Sequence, residues 1–164
     1  MSSVTYQWEP LVTLLADGFA ELCKAHWQEA GNSKDKMPLN IDWVKYACME
    51  QIGTFRALSA RLDGELIGYN NFVIQEPLHY KGFVFAGNDS IYIKPDERKG
   101  TRGARLIKEA EKGLRAMFPN KKLRIDYHAR PFMLIGANKH GSLSGLFELL
   151  GYAKIDTIHA KLME

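Results

Sequence analysis

The stretch Pro95–Glu111, PDERKGTRGARLIKEAE, places Arg98, Lys99, Arg102 and Arg105 around Gly100 and Gly103, immediately before an apolar helical pattern. The first backbone N–H groups of a helix have no partner inside it, and the aligned peptide dipoles make that end favourable for an anion. Glycines let a ligand approach the backbone closely. Arginine and lysine add charge-assisted hydrogen bonds. The chemistry this suits is phosphate binding. The stretch lacks the Gly-Lys-Ser/Thr ending of a P-loop and the GxGxxG of a dinucleotide site. Three readings therefore stand side by side: a phosphate cradle, a nucleic-acid patch, and a solvated basic helix start.

Acid–base candidates are few. Asp89, in GNDS, is either a general base or a plain turn residue. His128 in IDYHAR and Glu76 are weaker candidates. His26, His79 and His159 show no metal-ligand spacing, so no metal site is expected. No Ser/His/Asp order suggests a hydrolase. Tyr6, Trp8, Trp27 and Trp43 read as core residues in or near N-terminal helices. Cys23 and Cys48 sit in helical patterns outside any CxxC, and two buried, reduced thiols are expected, which fits a cytoplasmic protein.

The elements that must position these groups follow from periodicity. Residues 10–30 have helical spacing, with Leu11, Leu15, Phe19 and Leu22 on one stripe, and IDWVKYACMEQIG reads as a second helix. TFRALSARL and ELIGYNNFVIQ read as strands joined at Asp63-Gly64, a two-residue hairpin signal. Another strand ends at SIYIK, with Ile91 and Ile93 on one face. A helix then follows the basic turn, KLRIDYHAR reads as a strand, GSLSGLFELLG as a short helix and YAKIDTIHAKLM as a final strand. The expected order is α-α-β-β-β-α-β-α-β, an α/β domain around a mixed sheet. A length of 164 residues suits one domain, and 46% apolar with 25% charged residues suits a globular one. The net charge of +3 does not by itself call for nucleic acid. Neither a secretory signal nor a membrane-length apolar run is evident.

The run SIYIKPDERKGTRGARLI, the following strand, and LFELLGY before a last strand resemble the GNAT superfamily of acyl-CoA-dependent N-acyltransferases, from roughly Thr54 to Met163. The two N-terminal helices also stand in their expected place. A narrower likeness is to GNAT proteins encoded by tailed phages. The resemblance implies a fold with splayed central strands and helices on both faces, and acetyl-CoA as the cofactor. It implies that Arg98 through Ala104, including Lys99, Gly100, Thr101, Arg102 and Gly103, hold the pyrophosphate mainly through backbone amides. Thr101 stands in a glycine slot of the family motif and is expected to cap the helix. Main-chain groups of Ile91 and Ile93 would pair with the acyl-pantetheine arm, and an N–H near Ile93 would act as an oxyanion hole.

Asp89 takes the place of the family's acidic base. Phe147 stands where the family's acid tyrosine is expected, with Tyr127, Tyr152 or Ser144 as substitutes, and His140 stands near the place of its usual asparagine. Ser144, His140 and Phe147 would also border the cofactor. The implied activity is transfer of an acetyl group to a primary amine by direct attack in a ternary complex. The acceptor is a small molecule or a protein lysine or N-terminus, met by the first two helices and the loop Pro77–Gly82. The alternative is a catalytically weak GNAT-fold protein that binds a partner protein. Nucleic acid is not an expected partner, since no stacking aromatics interleave with the arginines. Nor is a membrane, and the chain is expected as a monomer or homodimer.

Overall fold

The computed structural model describes residues 3–31, 34–128, 131–133 and 140–155. The chain opens on an unexpected strand, β1 (Val4–Trp8), so Tyr6 and Trp8 lie on a strand just before the first helix, packed against the core as expected. VTYQW alternates with period two, which suits a pleated, half-buried edge. The helix expected over residues 10–30 is two, α1 (Leu11–Ala16) and α2 (Phe19–Ala30), separated at Gly18, whose φ is +88°. α3 (Trp43–Gln51) starts at Asp42, whose Oδ1 accepts the Lys45 N–H at 2.9 Å and so satisfies one orphan donor.

β2 (Phe55–Leu62) and β3 (Glu65–Gln75) form the expected hairpin, with positive φ at both Asp63 and Gly64. β4 (Phe83–Ile93) runs into a 3-10 turn at Pro95–Glu97, and α4 (Arg102–Met117) follows. Beyond it come β5 (Lys122–Asp126), a ribbon of β6 (Pro131–Met133) and β7 (His140–Ser142), and α5 (Ser144–Leu149). Tyr152 to Ile155 carry no regular structure, and the rest of the expected final strand lies outside the described residues.

The main sheet has the order β1-β2-β3-β4-β5, antiparallel up to β4 and parallel between β4 and β5, with α4 as the crossover. This is the expected mixed α/β sheet, covered on both faces. On one face α4 buries Leu106, Ala110 and Leu114 against Leu58, Phe72, Val84 and Ala86. Each such leucine contributes roughly 1.5–3 kcal/mol by leaving water. Gly113 lets β1 reach this helix, because a Cβ there would lie 1.9 Å from Trp8 Nε1. On the other face α1 and α2 contribute Leu11, Leu14, Phe19 and Leu22 against Phe55, Tyr69 and Tyr92. Cys48 on α3 is exposed, contrary to the expectation of two buried thiols, while Cys23 on α2 is half-buried. α3 packs Trp43, Tyr46 and Met49 against the core, and Cys48 lies on its other face with exposed Val44, four residues before it.

One topological detail positions the site. β4 and β5 pair only from Phe83↔Lys122 to Gly87↔Asp126, yet β4 continues to Ile93. The two strands part after Gly87 and leave the second half of β4 without that neighbour.

Candidate active site

The open half of β4 presents its main chain in a defined direction. The Lys94 N–H donates to the Ile67 carbonyl at 2.8 Å, which faces that position toward β3. Alternation along the strand then turns the backbone groups of Ile91 and Ile93 to the opposite edge. The Ile93 carbonyl on that edge accepts Arg98 Nε–H at 2.9 Å. A cavity of about 330 Å³ lies along the edge, bounded by Asn88–Ile93, by His26 and Glu29 of α2, and by Gly103 and Ala104 of α4. The side chains of Ile91 and Ile93 also belong to the core, so one pair of residues serves packing through side chains and the cavity through backbone.

The basic turn forms the cavity's other end. Gly100 has φ +57°, a conformation that favours glycine, and it lets the chain reverse into α4. Thr101 occupies the N-cap position, but its hydroxyl makes no capping bond, contrary to expectation. At φ −100° and ψ 11° its backbone is not in the extended conformation that aims a side-chain oxygen at the first turn. Among the described residues the N–H groups of Gly103 and Ala104 meet no acceptor. A Cβ at Gly100 or Gly103 would meet nothing within 4 Å, so the approach to these amides is clear. A depression of about 510 Å³ lies outside the same turn, over Lys99–Arg102 and Arg105.

The arginines are arranged differently from a row of anion ligands. Arg98 donates to both oxygens of Glu29, at 2.7 and 2.6 Å, and its guanidinium lies 5.3 Å from the Tyr92 ring centroid. Arg102 pairs with the Glu97 carboxylate. Arg98 precedes α4 and so shares no helical face with Arg102 and Arg105. Lys99 and Arg105 are exposed, Arg105 lying over the Tyr6 ring. The turn offers an anion chiefly main-chain donors, with Lys99 and Arg105 beside them.

Asp89 lies on the cavity wall within β4, not in a free turn. The pairing steps from Phe72↔Asn88 to Asn71↔Ser90, which makes Asp89 the extra residue of a β-bulge, a device that re-aims a side chain. Its Oδ2 accepts the Tyr46 hydroxyl at 2.9 Å and the Ser90 hydroxyl at 3.2 Å. Burial, and the Asp89 charge after it, raise the Tyr46 phenol above its ordinary value, so it stays a donor. Nearby, Tyr69 OH and His26 Nδ1 are 2.8 Å apart, and His26 stacks on Tyr92 at 4.9 Å. Burial pushes the Cys23 thiol up to about 12. His128 also borders the cavity, whereas Glu76 is ion-paired with Lys121 on the surface.

The expected substitutes for an acid are engaged elsewhere. Tyr127 OH accepts Asn70 Nδ2–H at 2.8 Å, and Tyr152 OH donates to Glu111 at 2.6 Å. Burial raises both phenols. Phe147 stacks on Tyr127 at 4.9 Å and meets Tyr152 edge-on, an aromatic cluster that does not border the cavity. Ser144 donates to Glu148 at 3.2 Å, and His140 stands in β7. Near α5 it is Leu143 and Leu146 that border the cavity. Leu146 and Phe147 are consecutive and so point about 100° apart around α5, and Phe147 is the one that turns into the packed aromatic cluster.

Several site residues were not singled out in the sequence: His26, Glu29, Tyr46, Asn70, Asn88 and Tyr92. Asn70 and Asn88 carried a weak signal, since each opens a short polar run, Asn70-Asn71 and Asn88-Asp89-Ser90, with apolar strand on either side. The others depend on contacts between distant segments. Among the described residues no three His, Cys, Asp or Glu side chains gather as metal ligands, and no helix is long and apolar enough to cross a membrane.

No protein-family model matches the chain, and no curated protein matches its sequence. Solved structures do match along its whole length. A ribosomal-protein-alanine N-acetyltransferase from Brucella melitensis biovar Abortus 2308 superposes with TM-score 0.65 at 19% identity, covering 98% of this chain and 99% of its own. An aminoglycoside acetyltransferase from an uncultured soil metagenomic sample gives 0.67 at 14% identity, with 99% of both chains covered. A glucosamine-6-phosphate N-acetyltransferase from Arabidopsis thaliana gives 0.66 at 10%, again with 99% of both. At these identities the likeness establishes a shared fold, that of the GNAT acetyltransferases.

Proposed function

We propose that this chain is an acetyl-CoA-dependent N-acetyltransferase acting on a primary amine. One observation carries the reading: the open main-chain edge of β4 and the unpaired amides at the start of α4 border a single cavity. A pyrophosphate suits the Gly100–Ala104 turn, where the Gly103 and Ala104 amides are unpaired among the described residues and the space beside Gly100 and Gly103 is open. Acetyl-CoA would supply an activated acetyl thioester there. Ile91 and Ile93 offer main-chain donors and acceptors to an amide-bearing arm along the splay.

Asp89, bordering the same cavity, accepts a proton from the amine. The Tyr46 and Ser90 hydroxyls hold its Oδ2. The amine nitrogen forms a bond to the acyl carbon, the carbon–sulfur bond breaks with its electron pair leaving on sulfur, and the amine's proton passes to Asp89. The Ile91 N–H, on the open edge two residues from Asp89, is the donor available to a carbonyl oxygen there, whereas the Ile93 N–H stands about 13 Å along the strand from Asp89. A thiol with pKa about 8.5 leaves without much help, so a tyrosine in the place of Phe147 is not required for turnover.

The test is amide formation from acetyl-CoA with a panel drawn from the structural neighbours: an alanine-ended peptide, an aminoglycoside and glucosamine 6-phosphate, together with simple alkylamines. Acetylated product from any of them supports the reading. A protein that binds acetyl-CoA but acetylates none supports the second reading, a GNAT-fold binding protein. That second reading is favoured by the leucines, rather than a hydroxyl, that border the cavity near α5.

A further inference from the structure

The sheet face that carries the Asp89 carboxylate continues past the helices that cover it. On β4, Val84 and Ala86 belong to the core under α4, so Phe83, Phe85 and Gly87 point to the opposite face. On β5, Leu123 and Ile125 pack against that same core, which turns Lys122, Arg124 and Asp126 the other way. Register then sets Phe83 opposite Lys122, Phe85 opposite Arg124 and Gly87 opposite Asp126. The side chains follow the register: Lys122 Nζ lies 5.4 Å from the Phe83 ring centroid, and the Arg124 guanidinium lies 4.8 Å from that of Phe85. Asp89 shares this face, because its carboxylate meets Tyr46 of α3. Tyr46 packs edge-on against Phe55, and Phe55, Val73 and Gly87 stand side by side across β2, β3 and β4.

The strip from Asp89 to these cations is open. A Cβ at Gly87 would meet only the Val73 carbonyl, at 3.9 Å, so no helix lies over it. Phe83 and Phe85 belong to neither core cluster, and Tyr80, 57% exposed, flanks them. Charge changes sign along the strip, with Asp89 and Asp126 nearer the cavity and Arg124 and Lys122 further from it. Arg124 Nε donates to Asp126 Oδ1 at 2.8 Å, and among the described residues its Nη hydrogens meet no acceptor. Nor does Lys122 pair with a carboxylate among those residues. The residues from Phe85 to Asp89, shortened by the bulge, span roughly 10–13 Å at about 3.3 Å per residue.

We infer that this strip is an acceptor subsite, and that it selects amines carrying a carboxylate or phosphate about 10 Å from the reacting nitrogen. This rests on the transferase reading above. The amine meets Asp89, its chain lies over Gly87 and the Phe85 ring, and its anionic group takes the Arg124 and Lys122 N–H donors. Lys122 and Arg124 exchange no proton, and the bonds made and broken are those of the transfer itself. A tripeptide suits the span, since three extended residues place about 10 Å between the amino nitrogen and the terminal carboxylate.

The experiment uses Ala-Gly-Gly and its C-terminal amide as probes, equal in length and differing in the anion. With saturating acetyl-CoA, wild type is expected to favour the acid in kcat/KM by about tenfold, chiefly through KM. Ala-Gly, whose carboxylate falls short of Arg124, is expected to show no such advantage over its own amide. Ala-Gly-phosphoserine amide carries a phosphate at similar reach, and the better of the two anions identifies the group that is read. In the double variant Lys122→Gln with Arg124→Gln, the acid is expected to fall to the level of the amide. Its acetyl-CoA Kd, measured by calorimetry, is expected to stay within about twofold, because the cradle is distant.

Equal use of acid and amide by wild type overturns the inference and leaves the transferase reading intact. A preference that survives in the double variant, or is as large for Ala-Gly, also overturns it, since the anion is then read elsewhere. Both cations are exposed; if the double variant nevertheless fails to fold, the length dependence in wild type decides. Acetylation of n-butylamine but of none of the peptides overturns the inference alone. Wild type that binds acetyl-CoA but acetylates no amine contradicts both the inference and the transferase reading, and so does failure to bind acetyl-CoA.

Discussion

Arg98 and Glu29, 69 residues apart in sequence, meet through two hydrogen bonds of 2.7 and 2.6 Å. Their side chains are only 18% and 8% exposed, so this is a clamp largely screened from water. It ties the turn before α4 to α2, and a third bond from Arg98 Nε holds the Ile93 carbonyl. The arginine of the basic motif thus sets the distance between two cavity walls.

Arg98→Lys is therefore expected to destabilise the fold by about 2 kcal/mol, because an ammonium reproduces neither the fork nor the Ile93 bond. Urea denaturation measures this. Acetyl-CoA affinity is expected to fall alongside. Unchanged stability with lost binding would make Arg98 a ligand instead of a clamp.

Two N-cap positions should respond differently to truncation. Asp42→Ala removes a bond to the Lys45 N–H and is expected to cost about 1 kcal/mol. Thr101→Ala removes no such bond and should cost less than about 0.5 kcal/mol. Paired urea melts of the two variants settle the contrast.

The sequence carried the local features well and the distant ones poorly. The Asp63-Gly64 turn, the amphipathic α4 and the Gly100–Ala104 turn each depend on neighbouring residues, and each formed as expected. β1 is five residues long and owes its existence to β2, more than fifty residues further on, so its alternation alone was a weak signal. The break at Gly18 lies inside a continuous apolar stripe, which conceals it. Asp89 was identifiable as an acid, but its bulge and its Tyr46 partner depend on strand register and on α3. Tyr127 and Tyr152 are substitutes for an acid by residue type alone, and the Asn70 and Glu111 partners that engage their hydroxyls reach them only in the folded chain.

Asp89→Asn should leave acetyl-CoA affinity within about twofold and lower amine-dependent turnover by about 10²-fold or more, the usual range for loss of a general base. Tyr46→Phe removes one bond to the same carboxylate, and a loss of about tenfold is expected. Steady-state rates with one amine and both variants test this. Equal rates for wild type and Asp89→Asn would remove Asp89 from the mechanism.

The two cysteines should separate by reactivity. Exposed Cys48 should alkylate readily with iodoacetamide at pH 8, and Cys23, pushed up to about 12 by burial, should not. The same shift sets a pH trend. Between about pH 9 and 12 the unfolded thiol ionises while the folded one keeps its proton, so the unfolded state binds fewer protons and stability falls as pH rises. The raised Tyr46, Tyr69, Tyr127 and Tyr152 phenols act in the same direction. Denaturation between pH 8 and 11 should show the decline, with a smaller slope in Cys23→Ala.

The central claim is that main-chain amides at the start of α4 hold the pyrophosphate of acetyl-CoA. Isothermal titration of wild type and Gly103→Glu with acetyl-CoA tests it most directly, because the space beside Gly103 is open and the substitution should leave the fold intact. Micromolar binding by wild type, abolished in a Gly103→Glu protein of unchanged melting temperature, is the predicted result. Absence of binding by wild type, or equal binding by both, would contradict it.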